Sequence, residues 1–520
     1  MKLNPKNKLR TWLILPALII FFWSLPVFSF NLNPLSSTAK ADFFNKDLKT
    51  FEEVFELIAD KYVYSPDPKK LFSAAIEKMV RIADSLNATL TSNPSGSEVD
   101  FNNKTTRYFL NYDIGHNMDE LRKVYYFLYD ESKNLLPKKE LENAAIRGLI
   151  GSLDTYSQYL DESAFEKSMR DTEGKYGGLG MVITMRDNRL YVIETMEDSP
   201  AREAGILSDD TFLKVNGKEI KKMQIQELAD LLRGYPETQV TLTMFRPIEE
   251  KEYTRTLTRR IILVDTVKYE PLDDHIAYIK VISFSKLTEK QLKKHLEEAK
   301  KEGIKGFIID LRGNPGGLLN QSVKVASHFL FKGRMVVYTK GRSEGDYQEY
   351  RSLYKKSLYD MPVVVLINQY SASASEIVAG ALRDSGNALL IGENSYGKGS
   401  VQTIFRISDG TGVRLTTSKY YTPAGADITK HGIVPEINII NNLKDDATAL
   451  EKEREKNNPE NKLTLKISDL KKFFESEGVK LDESRDATVE FSRRILKNSH
   501  TASKKRSLEK AREIAANLDY

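Results

Sequence analysis

Ser373 and Lys398 are the two residues of this chain whose types and placement best suit covalent chemistry. Both lie in the stretch 371–403, which is rich in glycine, alanine and serine. A serine hydroxyl becomes a useful nucleophile when a neighbouring base removes its proton, and a lysine amine can be that base only in its neutral form. The pair therefore indicates hydrolysis by a serine nucleophile that needs no histidine.

A lysine base requires surroundings that lower its pKa. At the ordinary value of about 10.4, roughly one lysine in two to three thousand is neutral at pH 7. Burial in an apolar pocket lowers the pKa of a lysine by up to about 3–5 units. Ile377 and Val378 follow the serine and favour such a pocket. We interpret Glu376 and Asp384 as structural, because a carboxylate touching the lysine would raise its pKa.

Two other interpretations fit parts of this stretch. Ser373 or Ser375 would also serve as the N-cap of a helix. The segment from Gly392 to Lys398 has the spacing of a phosphate-binding loop, but Gly399 stands where such a loop places the Ser or Thr that holds magnesium. The residues after Gly399 predict a strand, whereas a phosphate loop leads into a helix. The sequence therefore argues against a nucleotide-binding protein.

Composition excludes several other kinds of site. The chain has 520 residues, of which 40% are hydrophobic, enough for several domains. It contains no cysteine, which excludes disulfides, thiolate metal sites and a cysteine nucleophile. The six histidines show no metal-ligand spacing, so we expect no metal and no other cofactor. The net charge of +5 is carried by residues 1–41, and the nearly neutral remainder argues against nucleic-acid binding.

Residues 1–41 have the order of an export signal. Basic residues precede an apolar run from Trp12 to Phe30, and small residues follow at Ala39 and Ala41. The run is long for a cleaved signal, so removal and retention as a membrane anchor both stay open. We predict an exported protein of the periplasm or cell envelope whose membrane contact is limited to this segment.

The stretch around Ser373 resembles the catalytic core of the C-terminal processing (tail-specific) proteases. These are secreted serine endopeptidases with a PDZ domain and a Ser/Lys dyad, and the resemblance extends from about residue 140 to about residue 440. It implies that Ser373 is the nucleophile, that Lys398 is the base and that Gln402 orients the lysine. One departure lies at Thr155-Tyr156, where the family usually has Pro-His.

The same resemblance implies an oxyanion hole, in which backbone N–H groups stabilise the tetrahedral intermediate. One donor is the amide of Ala374, directly after the nucleophile. The other belongs to Gly316 or Gly317, in a loop that follows a predicted strand. Glycine suits this position because it lets the amide approach the oxyanion closely. A Pro-Gly turn without a catalytic role is the alternative for this loop.

Residues 174–262 resemble a PDZ domain. Gly178, Leu179, Gly180 and Met181 resemble the loop whose amides bind the terminal carboxylate of a peptide, and the strand edge that follows would accept an extended chain. The resemblance implies that protein or peptide C-terminal tails are the partners, and an adaptor or activator is a further expectation. Asp209 stands where the family usually has glycine, which leaves one turn open.

We predict a multidomain α/β protein. Residues in 54–90 match residues 70 positions later in 124–160, which indicates duplicated helical pairs, with coincidence of two amphipathic patterns as the alternative. A polar loop is predicted from Thr91 to Thr106. The predicted segments are a signal peptide or membrane anchor (1–41), a helical N-terminal region with this duplication (42–173), the PDZ domain (174–262), a ClpP/crotonase-like serine protease core (263–440) and a charged helical C-terminal extension (441–520).

Within the extension, helices are predicted at 447–456, 467–477, 486–497 and 503–517. Their mixed charges predict solvated faces, and the resemblance implies that terminal helical regions support a homo-oligomer. The whole sequence predicts an exported serine endopeptidase that binds C-terminal tails through its PDZ domain. The alternative is a secreted PDZ scaffold with an inactive protease-like body. The joint presence of Ser373, Lys398 and Gln402 argues against that scaffold.

Overall fold

The computed structural model describes residues 47–93, 96–133, 135–186, 189–221, 223–355, 357–429, 431–440, 463–482, 485–497 and 503–518. The predicted leader in 1–41 and the helix predicted at 447–456 lie outside these ranges. Over the described ranges, no helix is both long enough and apolar enough to cross a membrane.

Two helix pairs and a small sheet form the N-terminal region. Its elements are α1 (Lys49–Lys61), α2 (Pro68–Ile82), β1 (Thr89–Asn93), β2 (Gly96–Phe101), β3 (Lys104–Tyr108), α3 (Ile114–Glu131) and α4 (Lys138–Gly151). Val54 and Leu71 of the first pair, and Val124 and Leu141 at the corresponding positions of the second, are buried in one core. Each pair therefore turns an apolar stripe inward. The duplication itself stays a prediction.

Strands β1 to β3 occupy the segment in which the sequence predicts a polar loop. They form an antiparallel sheet with Val99 and Phe101 buried beneath it. Asn102 and Asn103 have φ angles of 52° and 60°, as a two-residue hairpin turn requires. The polar composition belongs to the exposed face of a sheet, because antiparallel strands can leave one face in water.

The region predicted as a PDZ domain contains a sheet whose edge strand is free. Its elements, with the two that precede it, are β4 (Gln158–Leu160), α5 (Glu162–Glu173), β5 (Lys175–Gly178), β6 (Met181–Arg186), β7 (Arg189–Thr195), α6 (Pro200–Glu203), β8 (Thr211–Val215), β9 (Lys218–Glu219), α7 (Ile225–Leu232), β10 (Gln239–Arg246), β11 (Lys251–Thr258) and β12 (Arg260–Leu263). The order β11-β10-β8-β7-β6 leaves β6 at the edge, beside α7. Val192, Leu228 and Leu242 lie in a core separate from those of the other regions.

A seven-stranded sheet is the centre of the remaining chain. The elements are β13 (Val267–Leu272), β14 (Ile276–Val281), α8 (Thr288–Lys301), β15 (Gly306–Asp310), α9 (Leu319–Ser327), β16 (Met335–Lys340), β17 (Gln348–Arg351), β18 (Val363–Ile367), α10 (Ala374–Asp384), β19 (Ala388–Gly392), β20 (Ser400–Arg406), β21 (Gly412–Tyr421), β22 (Ile437–Ile440), β23 (Leu463–Lys466), α11 (Ile467–Ser476), α12 (Ala487–Lys497) and α13 (Lys504–Ala515). The order is β13-β14-β15-β18-β19-β22-β23, parallel from β14 onward. Val363 and Val365 enter one core, and Val364 and Leu366 enter another. Both faces are therefore covered, as is usual for parallel strands.

Helices α11 to α13 cover one face of this sheet. Phe474, Phe491 and Ile495 are fully buried in a core that they share with Ile308 of β15. Strand β23, beyond residue 440, pairs with β22, so the sheet continues past the predicted boundary. The sequence predicts solvated helices here, but the helices are amphipathic: their apolar faces cover the sheet, and Glu490 and Arg493 of α12 are buried as an ion pair.

A second sheet supports the lysine side of the molecule. Its order is β17-β16-β21-β20, and β4 pairs with β21. Ile407, Val413 and Leu415 from this part of the chain belong to the core of the N-terminal helices. The N-terminal helices therefore hold in place β20, the strand that carries Gln402.

The close approach of α2 and α4 generates a prediction about Gly148. A Cβ atom at Gly148 would lie 2.2 Å from the carbonyl oxygen of Ala74. Since backbone must move to admit it, Gly148→Ala should lower the free energy of unfolding by about 1–3 kcal/mol. Gly151→Ala, in the same helix with nothing within 4 Å of the added atom, is the control. It should be neutral or stabilising by up to about 1 kcal/mol. Chemical denaturation measures both, and equal effects would contradict the packing.

Candidate active site

One cavity of about 740 Å³ brings together side chains from distant parts of the chain. Its lining includes Ser373, Lys398, Gln402, Gly316, Gly317, Arg414, Tyr420, Tyr176 and Arg233. Among the described residues, no group of three or more His, Asp or Glu side chains is arranged to hold a metal ion. The cavity does contain a serine hydroxyl, a lysine amine and backbone amides.

Ser373 lies in a tight turn between β18 and α10. Its φ of 55° and ψ of −111° are costly for a residue with a side chain, and such strain persists only where neighbours impose it. Its N–H donates to Glu376 Oε2 at 2.7 Å, and its carbonyl oxygen accepts from the Tyr420 hydroxyl at 3.1 Å. The turn presents the half-buried hydroxyl to the cavity, and Ser373 also occupies the N-cap position of α10.

Glu376 joins the serine turn to the lysine loop. Its side chain is completely buried. Besides the Ser373 amide, it accepts from Ser395 Oγ at 2.5 Å, Gly397 N at 2.7 Å and Lys398 N at 3.0 Å. Burial raises the pKa of Glu376, and these hydrogen bonds act in the opposite direction. The contact with Lys398 is through the backbone amide, and the amine lies elsewhere.

The amine of Lys398 lies against an aromatic ring. Its Nζ is 5.2 Å from the centre of the Tyr156 ring. Burial lowers the pKa of Lys398 below its ordinary value, and the positive charge of Arg414 lowers it further, whereas Glu376 and Asp154 act to raise it. The surroundings therefore favour the neutral amine that a general base must be.

The hydrogen bonds of the described residues do not connect the serine with the lysine. Within the described part of the chain, no hydrogen bond joins Lys398 Nζ to Ser373 or to Gln402. Gln402 Nε2 donates instead to Ser400 Oγ at 2.8 Å. Catalytic hydrogen bonds in unliganded enzymes are often long and shorten when substrate binds. Ser373, Lys398 and the predicted orienting glutamine therefore line one cavity without direct hydrogen bonds between them among the described residues.

The glycine loop reaches the nucleophile turn. A Cβ atom on Gly316 would lie 2.8 Å from the Ser373 Cβ, so only glycine permits this approach. The Gly316 N–H donates to Asn314 Oδ1 at 2.9 Å. The amides of Gly317 and Ala374 have no acceptor among the described residues, and Ala374 opens α10, where first-turn amides lack helical partners. Of these two residues, Gly317 lines the cavity, whereas buried Ala374 is not among its lining residues.

The predicted tail-binding loop lies outside the cavity, at the edge strand of the PDZ region. Gly178 ends β5, Leu179 is buried and Met181 begins β6. Gly180 has a φ of 73°, and a Cβ atom there would lie 2.4 Å from the Ser199 Cβ. The loop geometry consequently depends on this glycine.

Strand β5 links that loop to the cavity. Tyr176 of β5 lines the cavity together with Arg233, whose guanidinium carbon is 5.1 Å from the ring centre of Tyr176. The loop 178–181 and the cavity around Ser373 are therefore connected through one short strand.

Three side chains of the site were not singled out for it by the sequence. Tyr156 is noticeable only as a departure from the resemblance at Thr155-Tyr156. Arg414 and Tyr420 belong to no motif, and strand register alone brings them to the cavity. Asp384, interpreted as structural, does not line the cavity. It pairs with Arg383 and accepts a hydrogen bond from the Ala424 amide.

The chain is similar to several known proteins. The model for peptidase family S41 matches residues 275–439, and that for a PDZ domain matches residues 191–245. The carboxy-terminal-processing protease of Bartonella bacilliformis is 39% identical over 341 residues, 65% of this chain and 76% of the relative. The carboxy-terminal processing protease CtpA of Bacillus subtilis is 36% identical over 320 residues, 61% of this chain and 68% of the relative. A solved photosystem II D1 C-terminal processing protease aligns with a TM-score of 0.42 and 25% identity, over 79% of this chain and 96% of its own.

The charges around Lys398 generate a prediction about pH. Because the base must be neutral, kcat/KM should rise with pH through an apparent pKa below the ordinary lysine value. Arg414→Gln removes a positive charge that destabilises the Lys398 ammonium, so the pKa of Lys398 should rise. The rising limb of the kcat/KM profile should therefore move to higher pH. Arg414→Lys retains the charge and should leave the limb nearly in place. The pH profile of peptide hydrolysis measures all three proteins, and an unmoved limb in Arg414→Gln would contradict the assignment.

Proposed function

The chain belongs to peptidase family S41. We propose that it is an exported endopeptidase that binds C-terminal tails of proteins and cleaves them with Ser373 and Lys398. It is a serine peptidase with a PDZ domain. The alternative of an inactive PDZ scaffold is not supported, because the relatives that match most of the chain are named proteases. The observation that carries the proposed site is one cavity lined by Ser373, Lys398 and the glycine loop.

In the proposed reaction the Ser373 oxygen attacks the carbonyl carbon of the substrate, and Lys398 Nζ takes the hydroxyl proton. The tetrahedral intermediate collapses to an ester on Ser373, and the leaving amine receives the proton from Lys398. Water then attacks the ester while Lys398 again accepts a proton and returns it to Ser373. In each half-reaction the Lys398 amine must lie within hydrogen-bond distance of the Ser373 oxygen.

We assign the oxyanion to the amides of Gly317 and Ala374. Support comes from their free N–H groups, whereas the Gly316 amide is bonded to Asn314. Gly316 would serve by its lack of a side chain, which lets the loop lie against the Ser373 turn. Two preorganised amides aimed at the developing charge stabilise the transition state more than the bound substrate.

The roles of Gln402 and of the terminal regions stay proposals. Gln402 lines the cavity, and its amide oxygen would hold the amine of Lys398 once that amine turns toward Ser373. Export rests on the order of residues 1–41, with either a cleaved signal or a membrane anchor. Self-association through α11–α13 would use their outer faces, because the apolar faces are already buried on the sheet.

The first test of this proposal is removal of the dyad. Ser373→Ala and Lys398→Ala should each lower the rate of cleavage of an unstructured protein by at least about a thousandfold. The double variant should be no worse, because the two residues act as one unit. Lys340→Ala, an exposed lysine outside the cavity, should keep full activity. Thermal melting must show folded variants, and substantial cleavage by folded Lys398→Ala would contradict the dyad.

The second test concerns recognition of the substrate tail. A free terminal carboxylate accepts charge-assisted hydrogen bonds worth roughly 1.5–3 kcal/mol each, so amidating the C-terminus of one unstructured substrate should raise KM at least about tenfold. Gly180→Val should abolish the preference, because the new side chain must displace the loop from Ser199.

Gly217→Val is the matched control for this test. Gly217 has a similar φ of 78° but nothing within 4 Å, so its substitution strains the backbone away from the loop. This variant should keep the preference for the free carboxylate. Equal KM values for the free and amidated substrates with the unaltered enzyme would show that the domain does not recognise the tail.

A further inference from the structure

The C-terminal helices reach the glycine loop through one carboxylate, and we propose that Asp486 is a positioning residue for the oxyanion hole. Asp486 lies directly before α12 and does not line the cavity. It acts through Arg312, at the start of the loop 311–317. This inference rests on the proposed role of that loop in the reaction.

The two oxygens of Asp486 have separate partners. Oδ1 accepts from the amides of Thr488 and Val489 at 2.8 and 3.0 Å, which caps α12. Oδ2 lies 2.8 Å from Nη2 of Arg312. Because capping fixes the carboxylate on the helix, the second oxygen offers the guanidinium an immobile acceptor.

Arg312 is held from the other side by Asp310, the last residue of β15. Its Nη2 is 2.7 Å from Asp310 Oδ2, and its backbone N–H donates to Asp310 Oδ1 at 2.8 Å. Asp310 is completely buried and also accepts from the Tyr278 hydroxyl at 2.8 Å. The guanidinium thus bridges the catalytic sheet and the C-terminal helices at the point where the loop begins.

The residues after Arg312 connect this bridge to the oxyanion donors. The Asn314 side chain donates to the Val281 carbonyl at 2.7 Å and accepts from the Gly316 amide. The Asn314 carbonyl accepts from the Ala372 amide at 3.0 Å, beside the nucleophile. The two free amides belong to different segments, one to this loop and one to α10. Their separation is therefore set by how the loop is anchored, and an oxyanion hole tolerates little displacement.

Other ion pairs tie the same C-terminal segment to the core without touching the loop. Arg485 lies 3.0 Å from Asp273, and Lys504 lies 3.1 Å from Glu436. Substituting Asp273 removes a cross-link of the same kind while leaving Arg312 and Asp486 unchanged. The chain therefore contains its own control for a general loosening of the C-terminal helices.

The experiment compares Asp486→Ser with Asp273→Asn in the full-length protein, by steady-state cleavage of an unstructured substrate and by thermal melting. Serine keeps a capping oxygen but has none left for Arg312. Asp486→Ser should lower kcat about tenfold with KM within twofold, since the oxyanion contact is made in the transition state. Asp273→Asn should leave both constants unchanged. Asp486→Asn also caps a helix and replaces the serine variant if that protein does not fold.

A third variant tests whether Asp486 acts through Arg312. In an Arg312→Gln background, Asp486→Ser should cause no further loss of kcat, because the contact is already broken. An unchanged kcat in folded Asp486→Ser, or a full additional loss in the Arg312→Gln background, would overturn the inference. If Ser373→Ala abolishes cleavage while Asp486→Ser does not slow it, the positioning role alone fails. If Ser373→Ala remains active, the proposed function fails first.

Discussion

The buried carboxylate of Glu376 is the interaction on which the active site depends. The nucleophile turn and the lysine loop belong to different segments, and a strained φ at Ser373 persists only if both are fixed. A buried carboxylate must find donors for its oxygens, since an unpaired buried charge costs several kcal/mol. Its hydrogen bonds are supplied by Ser373 N, Gly397 N, Lys398 N, Ser395 Oγ and Tyr420 OH. The hydrogen bonds that make burial of this carboxylate possible therefore also fix the Ser373 turn and the Lys398 loop relative to each other.

A carboxylate beside a lysine raises the pKa of the lysine, because it stabilises the ammonium form that cannot act as a base. In this structure the acceptor sites of Glu376 are already occupied by other donors. Two carboxylate oxygens offer about four acceptor sites, and backbone amides and hydroxyls already occupy them. No acceptor site is left for the Lys398 amine, which lies against Tyr156 instead. The charge of Glu376 still acts at a distance, but burial and Arg414 outweigh it, and the pKa of Lys398 is lowered.

Site residues are predictable from the sequence where their chemistry depends on neighbours in the chain. Ser373, Lys398 and the loop at Gly316 are recognisable because each needs particular neighbours in the chain, and the structure places all of them on one cavity. Residues that reach the site only through the fold are not predictable in this way. Arg414, for example, is brought to the cavity by the strand register of β21. The same limit explains the C-terminal helices. Charged positions dominate their composition, but burial is decided by the spacing of a few residues such as Phe474 and Phe491. The fold class is predictable, but strands β1 to β3 lie where the sequence predicts a polar loop, and the surface that each helix covers depends on the whole sheet.

The site is also assembled from segments that are far apart in the sequence. Tyr156 comes from the N-terminal region, Tyr176 from the flank of the PDZ domain and Ser373 from the catalytic core, and all belong to the surroundings of one lysine and one serine. Contacts of such long sequence separation form late in folding, because the entropy of closing the intervening loops must be overcome first. The burial and the Arg414 charge that lower the pKa of Lys398 therefore arise only once these distant segments have come together.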